Sequence, residues 1–212
     1  MKLADIRKEY SSKTLDIKGM KADPLEQFKL WLSEAISAQV NEPTAMHLST
    51  VDADLKPDGR IVLLKGVEEG FVFFTNYSST KGKHLERHPV AALTFFWPEL
   101  ERQVRVAGKV VKASRAESDE YYLSRPPESQ VGAWVSPQSQ VIPDRDYLEK
   151  ELAAAVKRFQ TEPLKRPEHW GGFRLVPASM EFWQGRPARL HDRIRYTLSP
   201  ATGLWKMERL AP

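Results

Sequence analysis

The sequence predicts a mainly β protein, an antiparallel β-barrel with flanking helices, and two observations support this prediction. Short runs rich in β-branched and aromatic residues follow one another between residues 44 and 113, each bounded by Gly, Pro, Asp or Asn. So few residues separate these runs that consecutive strands should pair as a meander, and five such strands close or nearly close into a barrel. Because no linker, repeat or low-complexity tract interrupts the chain, we expect residues 1–212 to form one domain.

The first half of the chain begins with a predicted helix, and the five predicted strands follow it. In ADPLEQFKLWLSEAIS, Asp23 can cap the helix, Pro24 suits its first position, and the apolar residues recur on one face. The EEG after the second strand predicts a hairpin turn. The strands are TAMHLSTVD, GRIVLLKGV, GFVFFTNY, AALTFFWP and RQVRVAGKVVKA.

The second half contains two further helices and returns to β structure. Ser114 and Glu117 have the spacing of a capping box and open a helix in SRAESDEYYLSRP. The segment PDRDYLEKELAAAVKRFQ is the clearest helix in the chain, because its apolar residues form a stripe. Strands are predicted in GGFRLVPASMEFWQG and LWKMERLAP. The stripe of the long helix consists of Leu148, Leu152, Ala155 and Phe159.

Composition excludes several classes of function. The chain has no cysteine, so disulfides, zinc–thiolate sites, iron–sulfur clusters and a cysteine nucleophile are ruled out. No apolar run reaches the length of a transmembrane helix, and the N-terminus lacks a signal-peptide core, so we expect a cytoplasmic protein that does not bind a membrane. The net charge of +4 comes without a Lys/Arg block longer than two residues. This distribution favours discrete anion pockets over nucleic-acid binding.

Familiar catalytic motifs are absent. The sequence contains no P-loop, no Rossmann glycine pattern and no Gly-x-Ser-x-Gly nucleophile elbow. It also lacks a His-Glu-x-x-His motif, and we predict no metal site.

Two segments have the composition of anion sites. In FFTNYSSTKGKHLERHP, a predicted strand ends near Asn76, hydroxyl residues follow, and a short helix should start near Lys81. Free N–H groups at a helix start suit a phosphate, although an ordinary serine cap explains the same pattern. In YYLSRPPESQVGAWVSPQS, Tyr121, Arg125 and Ser129 could hold a second phosphate. The alternative there is a helix C-terminus that favours arginine for electrostatic reasons.

A third segment, EFWQGRPARLHDRIRY, concentrates cations beside an aromatic residue. Arg189, His191 and Arg193 alternate, so on an extended chain they project to one side. Cations on one face repel unless an anionic or π-rich ligand lies between them, whereas an exposed strand face is the simpler alternative. Trp183 could stack on a flat ligand or fill the core.

These segments also support a family resemblance that covers nearly the whole chain. They occur in order, and the two longest, SRPPESQVGAW and EFWQGRPARLHDR, are the most specific. The chain resembles the pyridoxine/pyridoxamine 5′-phosphate oxidase family. The other segments that carry the resemblance are RKEY, ADPLEQF, GRIVLLKG, FFTNYSSTKGKH, ERQVRVAG, HWGGFRLVP and the terminal ERLAP.

The resemblance implies an FMN-binding split barrel that forms a homodimer, with FMN in clefts at the subunit interface. Arg60 and Lys81 would contact the FMN phosphate, and Gln103 would bond to the flavin ring. Where the family typically has an arginine this chain has Thr80, so we expect FMN to bind more weakly than in relatives with the arginine. The full set implied to contact FMN is Arg60, Ile61, Val62, Leu63, Lys65, Phe74, Thr75, Thr80, Lys81, Gln103, Gln138, Ser139, Trp183 and Arg193.

The resemblance likewise implies the substrates and the residues that bind them. Pyridoxine 5′-phosphate and pyridoxamine 5′-phosphate would be oxidised by O2 to pyridoxal 5′-phosphate, with release of H2O2 and, from the amine, NH3. Arg189 and His191 would be the catalytic pair at the substrate ring, and residues 1–20 would form a mobile segment that closes over the active site. The implied substrate-binding residues are Arg7, Tyr10, Lys65, Tyr121, Arg125, Ser129, Arg189 and His191.

Two other classes of function stay open at the level of the sequence. A split-barrel flavin protein could act on another substrate, as a flavin reductase does, or the chain could carry a flavin or pyridoxal phosphate without catalysis. The substrate-side set argues against a flavin reductase, because such an enzyme has no need of a second phosphate site. Bleaching of bound flavin by substrate would distinguish an enzyme from a carrier.

Overall fold

Nine β-strands of the described chain form one antiparallel sheet, which curls into a half-barrel. The protein is represented by a computed structural model that describes residues 2–3, 9–11 and 13–212. The mainly antiparallel β fold predicted from the sequence is confirmed. The strands are β1 (Ala45–Val51), β2 (Pro57–Leu63), β3 (Gly66–Val67), β4 (Phe71–Asn76), β5 (Val90–Trp97), β6 (Arg102–Lys112), β7 (Trp170–Gln184), β8 (Asp192–Leu198) and β9 (Trp205–Leu210).

Five α-helices in the described part of the chain flank this sheet, and local sequence patterns predict most of their caps. Asp23 accepts a hydrogen bond from the backbone N–H of Leu25, and Ser114 and Glu117 form the complete capping box. The fourth helix was not predicted, because the Pro126–Pro127 pair indicates a turn, whereas Pro127 opens a helix at its first position. The helices are α1 (Pro24–Ser37), α2 (Thr80–Arg87), α3 (Arg115–Ser124), α4 (Pro127–Val135) and α5 (Arg145–Arg158).

The order of strands corrects the predicted meander. The sheet runs β2-β1-β5-β6-β7-β4-β3, with β8 paired to β7 and β9 paired to β8. The strand GFVFFTNY therefore does not lie between its sequence neighbours; it pairs with β7, where Phe73 lies opposite Phe173. Phe71, Val72 and Phe73 are all buried, so β4 needs apolar cover on both faces, and a distant strand supplies part of it. β2 and β4 also contact each other, which closes the curl.

Helix α1 packs its apolar face into the barrel. Phe28 is fully buried against Phe71 and Phe95, with ring centroids 4.8 Å away in each case. The buried guanidinium of Arg102 lies 4.2 Å from the ring of Trp31. Its Nη1 donates to Glu34 at 2.7 Å, so one ion pair ties α1 to the sheet.

Helix α5 lies outside the barrel. None of its residues is buried, and Leu152 and Val156 are exposed, so its predicted apolar stripe does not reach the core. At the end of the stripe, Phe159 packs on Trp134 with ring centroids 5.5 Å apart. No helix in the described part of the chain has the length and apolarity needed to cross a membrane.

Candidate functional site

A cavity of about 500 Å³ opens between the sheet and helices α2, α3 and α4. Its walls come from the end of β2, from β4, from the first turn of α2 and from the α3–α4 region, because the curl of the sheet brings these segments together. Eleven of the predicted site residues line it. They are Ile61, Val62, Leu63, Lys65, Phe74, Thr75, Lys81, Tyr121, Arg125, Ser129 and Gln138.

Three parallel aromatic rings form one wall of the cavity. Phe74 stacks on Tyr121 with ring centroids 3.9 Å apart, and Trp170 lies parallel to both rings. The guanidinium of Arg125 lies over the face of Trp170, 4.7 Å from its centroid. The Nη1 of Arg125 is buried and finds no hydrogen-bond partner in the described part of the chain. A buried cationic donor without a partner favours an anionic ligand at this wall.

A second cationic position lies at the start of α2. Lys81 is only 9% exposed, and burial lowers the pKa of its ammonium group from the ordinary value, with a further lowering from the nearby charge of Arg60. The Lys81 ammonium donates to Gln138 Oε1 at 3.4 Å, and Gln138 Oε1 also accepts from Thr75 Oγ1 at 3.0 Å. Within the described residues, no carboxylate lies at ion-pair distance from Lys81. These residues fit a phosphate group, because an anion would compensate the buried charge.

Arg60 is not among the residues that line the cavity, but it directly precedes Ile61, which does. Its Nη1 donates to the carbonyl of Leu48 at 3.1 Å and to Thr50 Oγ1 at 2.7 Å, and its Nη2 pairs with Asp58. The guanidinium is therefore held in one place on β2. Its positive charge acts with burial to lower the pKa of Lys81.

The remaining predicted flavin residues form a separate row on the sheet. Trp183 on β7 lies opposite Gln103 on β6 and opposite Arg193 on β8. The ring of Trp183 contacts His191, with centroids 4.6 Å apart, and Tyr10 packs edge-on against Trp183 at 5.6 Å. None of these five residues lines the cavity. Within one chain, the predicted site residues therefore form two groups: those that line the cavity and those in the row around Trp183.

The prediction that Arg189, His191 and Arg193 share one face of a strand is wrong. Strand β8 begins only at Asp192, and Arg189 belongs to a 3₁₀ turn that precedes it. The backbone φ angles of Ala188 and Arg189 are +53° and +61°, a region that side chains other than glycine rarely adopt. Strained backbone of this kind clusters at functional sites.

Hydrogen bonds define the state of two residues near that turn. His191 Nδ1 accepts the backbone N–H of Arg186 at 3.1 Å, so the proton of the neutral ring lies on Nε2. Arg193 donates twice to Glu181, at 2.9 and 3.1 Å, and once to the carbonyl of Ala211. Arg193 is therefore neutralised within its own chain, whereas His191 has a donor available.

Of three other predicted residues, two do not line the cavity and one lies outside the residues that the structure describes. Thr80 is the exposed first residue of α2, and Ser139 is exposed with a φ of +69°. Arg7 lies outside the described residues.

Sequence reasoning gave no role to several residues that line the cavity. The most informative is Trp170, which begins β7 and carries the stacked wall; its signal was an aromatic residue directly before Gly171 and Gly172 in HWGGF. Asn76, Gly132, Ala133 and Ser136 also line the cavity.

The sequence contains one His-x-x-x-His pair, His84 and His88, with the spacing of two metal ligands on a helix. His84 Nδ1 is engaged by Thr50 at 3.0 Å. Among the described residues, no group of three or more His, Asp or Glu side chains is placed to hold a metal ion.

Comparison with protein families and with individual proteins agrees with this geometry. Residues 32–157 match the family described as "Pyridoxamine 5'-phosphate oxidase", and residues 170–212 match the "Pyridoxine 5'-phosphate oxidase C-terminal dimerisation region". A protein of Actinobacillus succinogenes named pyridoxine/pyridoxamine 5′-phosphate oxidase is 56% identical over 215 residues, covering all of both chains. A protein of the same name from Cupriavidus taiwanensis is 54% identical and covers 99% of both chains.

Solved structures show the same fold. The crystal structure of PhzG from Burkholderia lata, in complex with tetrahydrophenazine-1-carboxylic acid, is 29% identical and superimposes with a TM-score of 0.88, covering 95% of this chain and all of that chain. A pyridoxamine 5′-phosphate oxidase-related, FMN binding protein from Nostoc punctiforme shares the fold at 16% identity, with a TM-score of 0.72 and coverage of 92% of this chain and all of that one. The chain belongs to the pyridoxamine 5′-phosphate oxidase family of FMN-dependent oxidoreductases.

Proposed function

We propose that this protein oxidises pyridoxine 5′-phosphate and pyridoxamine 5′-phosphate to pyridoxal 5′-phosphate, with O2 as electron acceptor. H2O2 would be released, together with NH3 from the amine. The observation that carries the proposal is one aromatic cavity with two cationic positions, at Lys81 and at Arg125. Full-length relatives at 54–56% identity bear the name of this activity and support the assignment.

The position at Arg125 is the one we assign to the substrate phosphate. Its buried Nη1 has no partner among the described residues, and Lys65, Tyr121 and Ser129 line the same cavity. A guanidinium, an ammonium and two hydroxyls together offer the charge-assisted hydrogen bonds that a phosphate ester takes up. The cavity therefore favours a phosphorylated substrate over an unphosphorylated one.

The position at Lys81 is the one we assign to the FMN phosphate. Lys81 and Arg60 would hold the phosphate, and Gln138 and Thr75, already hydrogen-bonded to each other, would orient the adjoining groups. FMN when bound supplies the hydride acceptor that amino-acid side chains lack, and it passes the electrons to O2. The protein contributes positioning, because two anchored phosphates restrict how the two flat rings can lie.

His191 and Arg189 are proposed to act at the substrate ring. Because His191 Nδ1 accepts a backbone N–H, its Nε2–H is the donor that can bond to a ring oxygen. Arg189, held in a strained turn beside it, would place a positive charge near the reacting carbon and cover the ring by cation–π contact. The oxidation also releases the proton of the substrate hydroxyl or amine, and we assign its acceptance to neither residue.

A homodimer would unite the two groups that a single chain keeps apart. Trp183, Arg189, His191 and Arg193 all lie within residues 170–212, the segment that matches a dimerisation region. We propose that this segment of one chain completes the cavity of a second copy, with FMN between them. Tyr10, packed on Trp183 and His191, would then lie at the edge of the completed site as part of a closing N-terminal segment.

Anaerobic bleaching of the flavin tests the proposed function. Purified protein loaded with FMN should lose its flavin absorbance on addition of either phosphorylated substrate, and air should restore it. Unphosphorylated pyridoxine at the same concentration should bleach far more slowly, because it lacks the group that Arg125 and Lys65 bind. If neither phosphorylated substrate bleaches the flavin, the proposed oxidation is wrong, and the protein would be a flavin carrier. Equal bleaching with and without the phosphate would point to another substrate class, such as that of the 29%-identical PhzG.

A further inference from the structure

We propose that Thr50 and His84 are positioning residues that hold the Arg60 guanidinium in place for the FMN phosphate. The inference rests on the proposed function, in which Arg60 and Lys81 bind that phosphate. It concerns two residues that the family resemblance did not single out and that do not line the cavity.

The three side chains form one chain of hydrogen bonds across β2, β1 and α2. Arg60 Nη1 donates to Thr50 Oγ1 at 2.7 Å, and Thr50 Oγ1 lies 3.0 Å from His84 Nδ1. Thr50 is only 3% exposed, so its hydroxyl depends on these two partners and not on water.

The donors and acceptors fix one of these two bonds. A guanidinium can only donate, so the Thr50 oxygen accepts from Arg60. That oxygen has a second lone pair and one hydrogen, so its bond to His84 Nδ1 takes the direction that the tautomer of His84 sets. In either direction, the Thr50 hydroxyl joins the Arg60 guanidinium to the His84 ring.

The geometry around Arg60 explains how these hydrogen bonds favour phosphate binding. β2 lies at one end of the strand order, where a long side chain would otherwise sample many rotamers. Thr50, the Leu48 carbonyl and Asp58 hold the guanidinium at three points. A guanidinium ordered before binding loses less entropy when the phosphate arrives.

Helix α2 connects these hydrogen bonds to Lys81, the other residue that we assign to the FMN phosphate. His84 and Lys81 are three residues apart on α2, which places them on the same side of the helix. Thr50 therefore fixes β1, β2 and α2 relative to one another through one hydroxyl. Arg60 directly precedes Ile61, which lines the same cavity as Lys81, and the charge of Arg60 contributes to the lowered pKa of Lys81.

The test compares the affinities of the apoprotein for FMN and for riboflavin, which lacks the phosphate, by quenching of flavin fluorescence. Thr50→Val keeps the shape of the side chain and removes the hydroxyl. We expect it to raise the Kd for FMN about fivefold to tenfold, the value of one hydrogen bond, and to leave the Kd for riboflavin unchanged. His84→Leu should have the same selective effect, and Thr50→Ser should restore FMN binding.

A matched control lies one residue along the same strand. Ser49 Oγ and His47 Nδ1 form a similar hydroxyl–imidazole pair at 3.3 Å, and neither is among the hydrogen-bond partners of Arg60 in the described chain. Ser49→Ala should therefore leave the ratio of FMN to riboflavin affinity unchanged. In an Arg60→Ala background, Thr50→Val should weaken FMN binding no further, because the group it positions is gone.

The outcomes separate this inference from the proposed function. If Arg60→Ala leaves FMN binding intact, the assigned phosphate site is wrong, and the inference falls with it. If Arg60→Ala selectively weakens FMN binding while Thr50→Val and His84→Leu do not, only the positioning role is wrong. An equal loss of FMN and riboflavin affinity in the Thr50 variant would show a general structural role and would also overturn the inference.

Discussion

Arg125 lies over the face of Trp170, with its Cζ 4.7 Å from the ring centroid and its Nη1 buried without a hydrogen-bond partner among the described residues. The aromatic ring satisfies one face of the guanidinium but not its N–H groups. The pair is thus ready to accept an anion, and Trp170 keeps the arginine in position for it.

Replacing Arg125 should impair binding of substrate and spare binding of cofactor. We expect Arg125→Leu to raise the KM for pyridoxine 5′-phosphate about 10- to 100-fold, since a charge-assisted hydrogen bond contributes about 1.5–3 kcal/mol. Arg125→Lys should recover only part of the loss, because lysine keeps the charge but not the fork or the stacking. Steady-state kinetics with a parallel FMN titration would measure both effects, and an unchanged KM would contradict the assignment.

Arg189 and Lys65 should separate kinetically. If Arg189 orients and polarises the substrate ring, Arg189→Ala should lower kcat, since that contact matters most in the transition state. Lys65→Ala removes a phosphate contact made equally before and during reaction, so it should mainly raise KM. Steady-state kinetics of both variants with the same substrate tests the distinction, which fails if both act on KM alone.

The strained turn before Arg189 should be stabilised by glycine. Ala188 has a φ of +53° and is exposed, so its methyl group makes the left-handed conformation unfavourable without gaining burial. We expect Ala188→Gly to raise the free energy of unfolding by about 0.5–1 kcal/mol, as urea titration would measure. Pro187→Ala, at a neighbouring position outside the left-handed region, serves as the control and should bring no such gain.

Local patterns predicted the elements of this fold better than their arrangement. The caps at Asp23 and Ser114 involve residues two or three positions apart, so they are legible in sequence. The pairing of β4 with β7 joins residues about a hundred positions apart, as Phe73 and Phe173 do, and no local pattern specifies it. Alternation failed at Arg189 for a related reason, because a left-handed turn ends the extended chain.

The same contrast between local patterns and long-range arrangement holds for the candidate site. Motifs identified the residues of the cavity, including Lys81 and Arg125, because their chemistry is carried by residue type and spacing. They could not show that Trp183 and His191 lie apart from the cavity within one chain. The positioning chain through Thr50 and His84 depends on contacts between three elements, so neither residue has a sequence signal of its own.

Placing an arginine at position 80, where the family resemblance leads us to expect one, should strengthen FMN binding. Thr80 is exposed at the start of α2 and precedes the buried Lys81, so a longer cationic side chain has room to reach a phosphate held there. We expect Thr80→Arg to lower the Kd for FMN severalfold and to leave riboflavin affinity unchanged, with Thr80→Gln as an uncharged control of similar length. Fluorescence titration would decide; an FMN affinity no higher than that of the unchanged protein contradicts the prediction.

Acid should weaken the link between α1 and the sheet through Glu34. Burial acts to raise the pKa of this carboxyl, but the hydrogen bond and charge of Arg102, with those of Lys13, outweigh it and leave the pKa below its ordinary value of 4.5. A carboxyl whose pKa is lower in the folded state stabilises the fold above its unfolded pKa, and that stabilisation is lost as the pH falls through the folded value. Glu34→Gln should therefore lower the melting temperature at neutral pH, and the difference from the unchanged protein should shrink as the pH falls below about 4.5.

Glu26→Gln, which removes an exposed carboxylate from the same helix, is the control. Thermal unfolding across this range measures both, and a Glu34 difference that stays constant with pH would show that Arg102 does not depend on the ionised carboxylate.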